Sequence, residues 1–124
     1  MQPKVIIVWF KRDLRVFDHA PLANAVHDAD FVLPLFVVEP DYWRLPTSSR
    51  RHWCFVHDCL HKLDASLAAL GQQLILRIGE MTDVLDELSR HVQIQAIYAH
   101  EETGDAWTYA RDRKMHAYCQ QAKI

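Results

Sequence analysis

The sequence predicts an α/β domain with a parallel sheet, and three observations support this prediction. Four short apolar segments alternate with four amphipathic segments along the 124 residues. The first apolar segment, 5–10, is an uninterrupted run of β-branched and aromatic residues, which is typical of a strand buried on both faces. The amphipathic segments lie where crossover helices are needed to join parallel strands. The predicted order is therefore β-α-β-α-β-α-β-α.

Three further strands are predicted after the first. The second covers 31–38 and contains Pro34, which has no N–H for a ladder hydrogen bond. We therefore expect this strand to start at or just beyond Pro34, or to place Pro34 at an unpaired position. The third strand covers 73–78, and the fourth covers 96–99 with Ile94 leading into it. In a doubly wound sheet these strands take the order 3-2-1-4.

Four helices are predicted between and after the strands. The first covers 20–29. The longest covers 50–70, where apolar residues recur at steps of three and four and define one buried face. Thr82 and Asp83 are suited to cap a third helix. The fourth helix covers 105–121 and completes the alternation.

Length and topology indicate one domain, 1–124, that ends early. The 124 residues suffice for one domain of common size. Doubly wound sheets of the common five-strand kind need one more strand, and the sequence ends at Ile124, where that strand is expected to begin. We therefore expect a Rossmann-like, doubly wound parallel sheet with helices on both faces and its fifth strand truncated.

Composition excludes several classes of protein. A formal net charge of −2 argues against a chain that binds nucleic acid through its overall charge. The apolar run 5–10 is far too short to span a membrane. Cys54, Cys59 and Cys119 form no CxxC pair and are odd in number, which favours a reducing, cytoplasmic compartment. Neither GxGxxG nor a GxxxxGK phosphate loop occurs, so a standard dinucleotide or nucleoside-triphosphate cradle is not expected.

The most informative stretch follows the first predicted strand. Residues 11–15 bring three cations and one acid to the carboxyl end of that strand, where α/β folds place their ligand crevice. Arg–Asp pairing can fasten such a loop to the sheet by charge-assisted hydrogen bonds, and the same cations can contact a ligand. Asp18 or His19 is placed to cap the helix that starts near Pro21.

Three colinear segments resemble the photolyase/cryptochrome family. They are VWFKRDLRVFDHAPLANA, RRHWCFVHDCLHKLDASLAALGQQLILRIGE and AIYAHEETGDAWTYARDRKM. The first resembles the family's strand, its W-F-K-R-D-L-R exit and the helix that follows. The second resembles the family's long helix leading to a strand, and the third its fourth strand and the R-D helix after it. The resemblance covers essentially the whole chain in the right order.

The resemblance implies a role within a larger protein. Members of the family have this α/β domain at the N-terminus and a larger helical domain that binds FAD. In photolyases that second domain also holds a pyrimidine dimer in DNA, which light-driven electron transfer from reduced flavin splits. The C-terminal domain is expected to be absent here, so contact with damaged DNA and repair activity belong to it. No catalytic residue and no repair activity are therefore predicted for 1–124 alone.

The resemblance further implies a light-harvesting chromophore, whose identity stays open. Members that hold a folate resemble one another in an Asn-Glu pair before their R-A-R-D stretch, and residues 107–110 lack that pair. Aromatic side chains in the long connection 39–49 and in the last helix offer flat surface for a flavin-like or deazaflavin-like ring. The alternative is that these rings only pack on the sheet and no chromophore binds.

Five residues are predicted to bind the chromophore: Arg12, Tyr42, Glu101, Trp107 and Tyr109. Tyr42, Trp107 and Tyr109 supply rings for stacking. Glu101 follows the fourth strand, where its carboxylate either accepts a hydrogen bond from the chromophore or pairs with Arg12 or Arg15. No metal site is predicted, because His57 and His61 lie on the polar flank of the long helix.

Two alternative classes stay open. The same architecture serves small nucleotide-binding proteins and electron-transfer flavoprotein subunits, although those usually carry glycine-rich loops. A chain without its fifth strand also has an open sheet edge, which favours self-association as a homodimer.

Overall fold

The computed structural model describes residues 2–100 and 104–124 and contains a four-stranded parallel sheet covered by helices on both faces. In chain order the elements are β1 (Lys4–Phe10), α1 (Ala20–Asp28), β2 (Phe31–Val38), α2 (Pro40–Trp43), α3 (Arg50–Ala69), β3 (Ile75–Ile78), α4 (Met81–Leu88), β4 (Gln93–Tyr98) and α5 (Ala106–Ala122). The strand order is β3-β2-β1-β4. The predicted fold class and strand order are confirmed. Among the described residues, no helix combines the length and apolarity that crossing a membrane requires.

Strand β1 is the centre of the domain. It pairs with β2 on one side and with β4 on the other, and every residue of 5–10 is buried. The β4 pairing is irregular: Val5 pairs with Ile94 but Ile6 pairs with Ala96, so Gln95 is an extra residue in β4. Such a bulge locally increases the twist of the edge strand.

Pro34 lies inside β2 at a position that tolerates it. In the pairing with β1 it lies opposite Val8, whereas the pairing with β3 begins one residue later, at Leu35. On the β3 side, where Pro34 has no partner, a missing N–H interrupts no ladder hydrogen bond. Strand β2 starts at Phe31, so the expected start at or beyond Pro34 is wrong. Pro34 is unpaired only toward β3, because it is in register with Val8 of β1.

The alternation of side chains along β1 divides the core into two layers. Ile6, Val8 and Phe10 face α1 and α3, where Leu63 and Leu67 pack against them. Val5, Ile7 and Trp9 face α4 and α5, where Leu85 and Met115 complete the second layer. Because both faces of β1 are covered, its side chains are held firmly and its C-terminal end is fixed in position.

The helices begin at caps that the sequence predicts in part. His19 caps α1 by accepting a hydrogen bond from the Leu22 N–H at 3.1 Å, and Ser49 caps α3 by accepting one from the His52 N–H at 3.0 Å. Helix α4 differs from the prediction. It starts after Glu80, which makes no side-chain cap hydrogen bond, so Thr82 and Asp83 lie inside the helix.

Candidate functional site at the carboxyl edge of the sheet

The four parallel strands have their carboxyl ends at one edge of the sheet. The side on which the chain adds its next strand changes at β1. Strand β2 follows β1 on one side, while β4 lies on the other. The connections after β1 and β4 therefore leave the sheet in different directions, and a crevice for ligands forms between such connections. Loop 11–19, helix α2 and the start of α5 lie at this edge.

Lys11 joins the ends of two strands to α5. Its Nζ donates a hydrogen bond to the His100 carbonyl oxygen at 3.2 Å and lies 3.4 Å from Asp112 Oδ2. The same ammonium lies 4.4 Å from the centroid of the Trp9 ring, a cation–π distance. The Lys11 side chain is 9% exposed, so these partners, rather than water, stabilise its positive charge.

Asp13 holds the loop after β1 against α1 and β4. Its Oδ1 accepts a hydrogen bond from the Lys11 N–H at 2.9 Å, and its Oδ2 accepts one from His100 Nδ1 at 2.6 Å. His19 Nε2 also lies 2.6 Å from Asp13 Oδ2. That contact is short, but it does not have the geometry of a hydrogen bond. The buried Nε2 has no hydrogen-bond partner among the described residues.

The two groups at the centre of this cluster have shifted pKa values. Burial would raise the pKa of Asp13, but the Lys11 N–H, the His100 ring and the nearby His19 outweigh it and lower that pKa. Burial lowers the pKa of His19 by more than the neighbouring carboxylate raises it. The stable state is therefore an ionised Asp13 beside a neutral His19.

Asp13, His19 and His100 form a donor set of the kind that zinc uses, with ligand atoms that all lie within 4.8 Å of one another. However, His19 Nδ1 accepts the Leu22 N–H, so the proton of the neutral ring is on Nε2. A metal-bound histidine normally has the opposite arrangement, with its second nitrogen donating a proton. The cluster is better suited to fastening the loop than to holding a metal.

A cavity of about 360 Å³, here called the α3 cavity, opens at the carboxyl ends of β1 and β2 beside α2 and α3. Aromatic and aliphatic side chains form most of its wall, among them Phe10, Phe36, Trp43, Phe55 and Val56. Arg12, Tyr42 and His52 add polar groups. Cavities of this size with apolar walls and a few polar groups are typical of small-molecule sites.

A second cavity of about 390 Å³, here called the α4 cavity, lies on the other side of α2, against α4 and α5. Its apolar lining includes Pro40, Met81, Trp107, Ala110 and Met115. Charged side chains also reach it, including Arg44 with Asp41 and Lys114 with Glu80.

The ion pair Glu39–Arg111 lines both cavities and lies between them. Arg111 Nη1 donates to Glu39 Oε1 at 2.8 Å, and both side chains are 11% exposed. The guanidinium is 4.9 Å from the centroid of the Trp9 ring and 5.6 Å from that of Trp107. The Arg111 guanidinium is thus held by a carboxylate and two indole rings, and the Glu39–Arg111 pair is here called the partition between the two cavities.

Four rings form a continuous aromatic rim around α2. Tyr42 contacts Trp43 at 5.2 Å and Trp107 at 5.4 Å between ring centroids, and Trp43 contacts Trp53 at 5.1 Å. Tyr42 and Trp43 line the α3 cavity, whereas Trp107 lines the α4 cavity. The rim therefore runs along both cavities.

The residues predicted to bind a chromophore fall in different places. Arg12 and Tyr42 line the α3 cavity, and Trp107 lines the adjoining α4 cavity. Tyr109 is 65% exposed, lines neither cavity and has Arg113 over its ring at 5.8 Å. Glu101 lies outside the residues that the structure describes.

Sequence reasoning missed the partition and most of the apolar wall. Glu39 comes directly after β2 and Arg111 lies in α5, and only the fold brings them together. The position of Glu39 at a strand end was an available signal, since carboxyl ends of parallel strands meet at one edge. Phe55 lacked such a signal, because it lies beside the buried face of α3.

Fold and site together define a doubly wound α/β domain with ligand-sized cavities at the carboxyl edge of its sheet. A family model described as DNA photolyase matches residues 6–124. The chain therefore belongs to the DNA photolyase family, and it corresponds to the family's N-terminal α/β domain.

Individual relatives agree with this assignment. A chloroplastic/mitochondrial cryptochrome DASH of Oryza sativa subsp. japonica is 34% identical over 106 residues, which cover 80% of this chain and 18% of the relative. A deoxyribodipyrimidine photo-lyase of Streptomyces griseus is 42% identical over 76 residues, or 61% of this chain and 17% of the relative. The chain thus spans about a fifth of the length of such relatives.

Solved structures show the same fold. The cryptochrome of Synechocystis sp. PCC6803 superposes with a TM-score of 0.91 over 100% of this chain and 26% of its own, at 21% identity. The archaeal photolyase from Sulfolobus tokodaii gives a TM-score of 0.79 at 29% identity, covering 94% of this chain and 27% of its own.

Proposed function

We propose that this chain is the light-harvesting domain of a longer photolyase or cryptochrome and that it binds a flavin-type chromophore in the α3 cavity. The chromophore absorbs light there and passes the excitation energy to a catalytic flavin held elsewhere in the full-length protein. Binding of FAD at the catalytic site and binding of damaged DNA are assigned to a further, C-terminal domain.

The observation that carries the proposal is the chemistry of the α3 cavity. Its wall combines fully buried strand residues, such as Phe10, with the rings of Tyr42 and Trp43. A flat, largely apolar ring gains contact area and favourable stacking on such a wall. Arg12 also lines the cavity and supplies positive charge, which suits the phosphate of a flavin mononucleotide.

A related protein supports the choice of a flavin. The structure of the Sulfolobus tokodaii photolyase contains two FAD molecules, with the implication of a novel light-harvesting cofactor. This chain also lacks the Asn-Glu pair that the folate-binding members share. A flavin or deazaflavin is therefore the proposed chromophore, in preference to a folate.

Titration of the 124-residue chain with FMN tests the proposal through quenching of flavin fluorescence. We expect saturable binding at one FMN per chain. Trp43→Ala removes a ring from the cavity wall and should weaken binding about tenfold. Tyr109→Ala, which removes an exposed ring outside both cavities, is the matched control and should change affinity less than about twofold.

Two results would count against the proposed chromophore and its site. The first is tighter binding of methenyltetrahydrofolate than of FMN, which would assign the cavity to a folate. The second is equal effects of the two ring deletions, which would place the flavin away from the α3 cavity. Repair of pyrimidine dimers by the 124-residue chain under blue light would contradict the assignment of catalysis to another domain.

We also propose a reducing compartment such as the cytoplasm. The three cysteines form no disulfide, and Cys54 is exposed. Free exposed thiols persist where glutathione keeps them reduced. Because the rice relative is chloroplastic/mitochondrial by name, fractionation of the source cells is the deciding measurement.

A further inference from the structure

Two exposed histidines lie side by side on helix α3, outside both cavities. His57 and His61 are four residues apart, and their ring centroids are 4.6 Å apart at an interplanar angle of 76°. Residues four apart are neighbours on one face of a helix, so α3 itself holds the two imidazoles together. Neither histidine lines the α3 or the α4 cavity, so the pair is a feature separate from the proposed chromophore site.

The helix keeps this pair in place. Both positions are well inside the 20-residue helix Arg50–Ala69, away from the ends where helices fray. Leu60 and Leu63 are buried, which fixes the rotation of the helix and leaves the two imidazoles facing solvent. A ligand that bridges the rings therefore meets a preorganised pair and does not have to order the backbone.

The ring nitrogens of the pair are available for a ligand. In the part of the chain that the structure describes, no hydrogen bond or ion pair occupies His57 or His61, which make ring contacts only. The cluster around Asp13 is different, because His19 Nδ1 there accepts the Leu22 N–H. In each exposed ring one nitrogen can coordinate an ion while the other donates its proton to water, which is the arrangement that a metal-bound histidine needs.

The spacing of the two rings matches a shared metal ion. Zinc lies about 2 Å from an imidazole nitrogen, so two rings that coordinate one ion at about 90 to 110° have centroids roughly 4.5 to 5.2 Å apart. The observed 4.6 Å falls in this range. Imidazole nitrogens suit zinc, copper and nickel, whereas magnesium and calcium prefer oxygen ligands. The spacing and the donor atoms therefore favour the same class of ion.

We propose that His57 and His61 form a binding site for a divalent transition-metal ion of the zinc or copper class. The two imidazoles supply two ligands, and water fills the remaining positions. The polar flank of α3, for which the sequence predicted no metal site, is where such an ion can enter from solvent. The site also adjoins indole rings: His57 contacts Trp53 at 6.2 Å and Trp53 contacts Trp43 at 5.1 Å between ring centroids.

Calorimetric titration of the 124-residue chain with Zn²⁺ tests the proposal. We expect one ion per chain, and no binding of Mg²⁺ at the same concentrations. His57→Ala and His61→Ala should each weaken Zn²⁺ binding at least about tenfold, because each leaves a single imidazole. His116→Ala removes an exposed histidine from α5 instead, and as the matched control it should change affinity less than about twofold. Cys54→Ser is a second control with the same expected result, because an exposed free thiol can also bind zinc.

Quenching of tryptophan fluorescence by Cu²⁺ gives a second readout. Quenching should saturate in the parent chain, and Trp53→Phe should remove most of the saturable part, because the Trp53 indole lies beside the pair. Saturable quenching that Trp53→Phe leaves unchanged would place the ion elsewhere. Absence of one-to-one Zn²⁺ binding, or equal binding by the double variant His57→Ala, His61→Ala, would overturn the proposal. A larger loss in Cys54→Ser than in either histidine variant would also overturn it, by assigning the ion to the thiol.

Discussion

The charged loop after β1 and the aromatic rim around α2 lie at the same edge of the sheet, but the loop fastens the fold whereas the rim borders space for a ligand. In the loop, Lys11 and Asp13 are bound to the protein itself, through the His100 carbonyl, the His100 ring and Asp112. In the rim, Tyr42 and Trp43 pack against one another and leave open space beside them. The stretch that is most recognisable in the sequence is therefore mainly structural, whereas the room for a ligand comes from rings on α2, α3 and α5.

This difference has a physical basis. A buried charge is costly unless other groups satisfy it, so charged residues at a strand end become fixed by their partners. Burying an aromatic ring carries no comparable desolvation cost, because the ring is stabilised by apolar contact area and needs no charged partner. Substitutions in the loop should therefore change the free energy of unfolding, and substitutions in the rim should change ligand affinity.

The largest effect is expected from Asp13→Ala. This change removes the carboxylate that accepts from the Lys11 N–H and from His100, and it leaves polar groups of the loop unsatisfied. We expect a loss of about 3 kcal/mol in the free energy of unfolding, measured by urea denaturation. Asp58→Ala on the exposed flank of α3 is the control and should cost less than about 0.5 kcal/mol. Similar losses for the two variants would show that the loop is not fixed through Asp13.

A pH dependence should arise from the same cluster. Burial holds the pKa of His19 below its ordinary value of about 6.5, so the unfolded chain binds a proton there more readily than the folded chain. His19 therefore contributes stability above about pH 6.5 that is lost as pH falls toward its folded pKa, at no more than about 1.4 kcal/mol per pH unit. The lowered pKa of Asp13 adds a further loss, which begins as pH falls below about 3.8.

The variant His19→Asn isolates the contribution of His19. Asparagine can cap α1 but does not titrate, so the free energy of unfolding should vary less between pH 7.5 and pH 5.5 than in the parent chain. The comparison uses the slope with pH, because the variant also loses the packing of the ring on Phe10. Equal slopes in the two proteins would assign the acid sensitivity to other histidines.

A smaller effect is expected at the start of α3, which carries one wall of the α3 cavity. Ser49→Ala removes the cap at the His52 N–H and should cost about 1 kcal/mol in stability. FMN affinity should fall less than about threefold, because the apolar wall residues Phe55 and Val56 lie further along the helix. Ser66→Ala, at an exposed position of the same helix, should change stability by no more than about 0.5 kcal/mol. A large loss of affinity without a loss of stability would place Ser49 in the binding site itself.

The smallest effect concerns the open edge of the sheet. Among the residues that the structure describes, strand β4 pairs with β1 alone and its apolar residues are half-buried, so we expect weak self-association at this edge. Light scattering after size-exclusion chromatography should detect a dimer fraction that grows with concentration. Gln95→Lys places a charge on the exposed bulge and should reduce that fraction a few-fold. A monomer at every concentration would exclude the edge as an interface.

Much of this protein is determined by its local sequence. Uninterrupted apolar runs define β1 and β2, three- and four-residue spacing defines α3, and alternation of the two predicts the parallel sheet. The family resemblance also depends on short segments. Helix starts are partly local as well: His19 was one of two predicted caps for α1, while the start of α4 was misplaced because Glu80 has no capping side-chain bond that a sequence pattern could indicate.

The site itself was decided by tertiary structure. Glu39 and Arg111 are 72 residues apart, Asp13 and His100 are 87 apart, and Lys11 and Asp112 are 101 apart. Periodicity reports which face of an element is buried, but it does not report which strand end meets which helix. That depends on sheet register and on crossover connections, which place distant segments at one edge. The sequence therefore determined the fold and the family, and only the packed sheet determined that two cavities lie on either side of one ion pair.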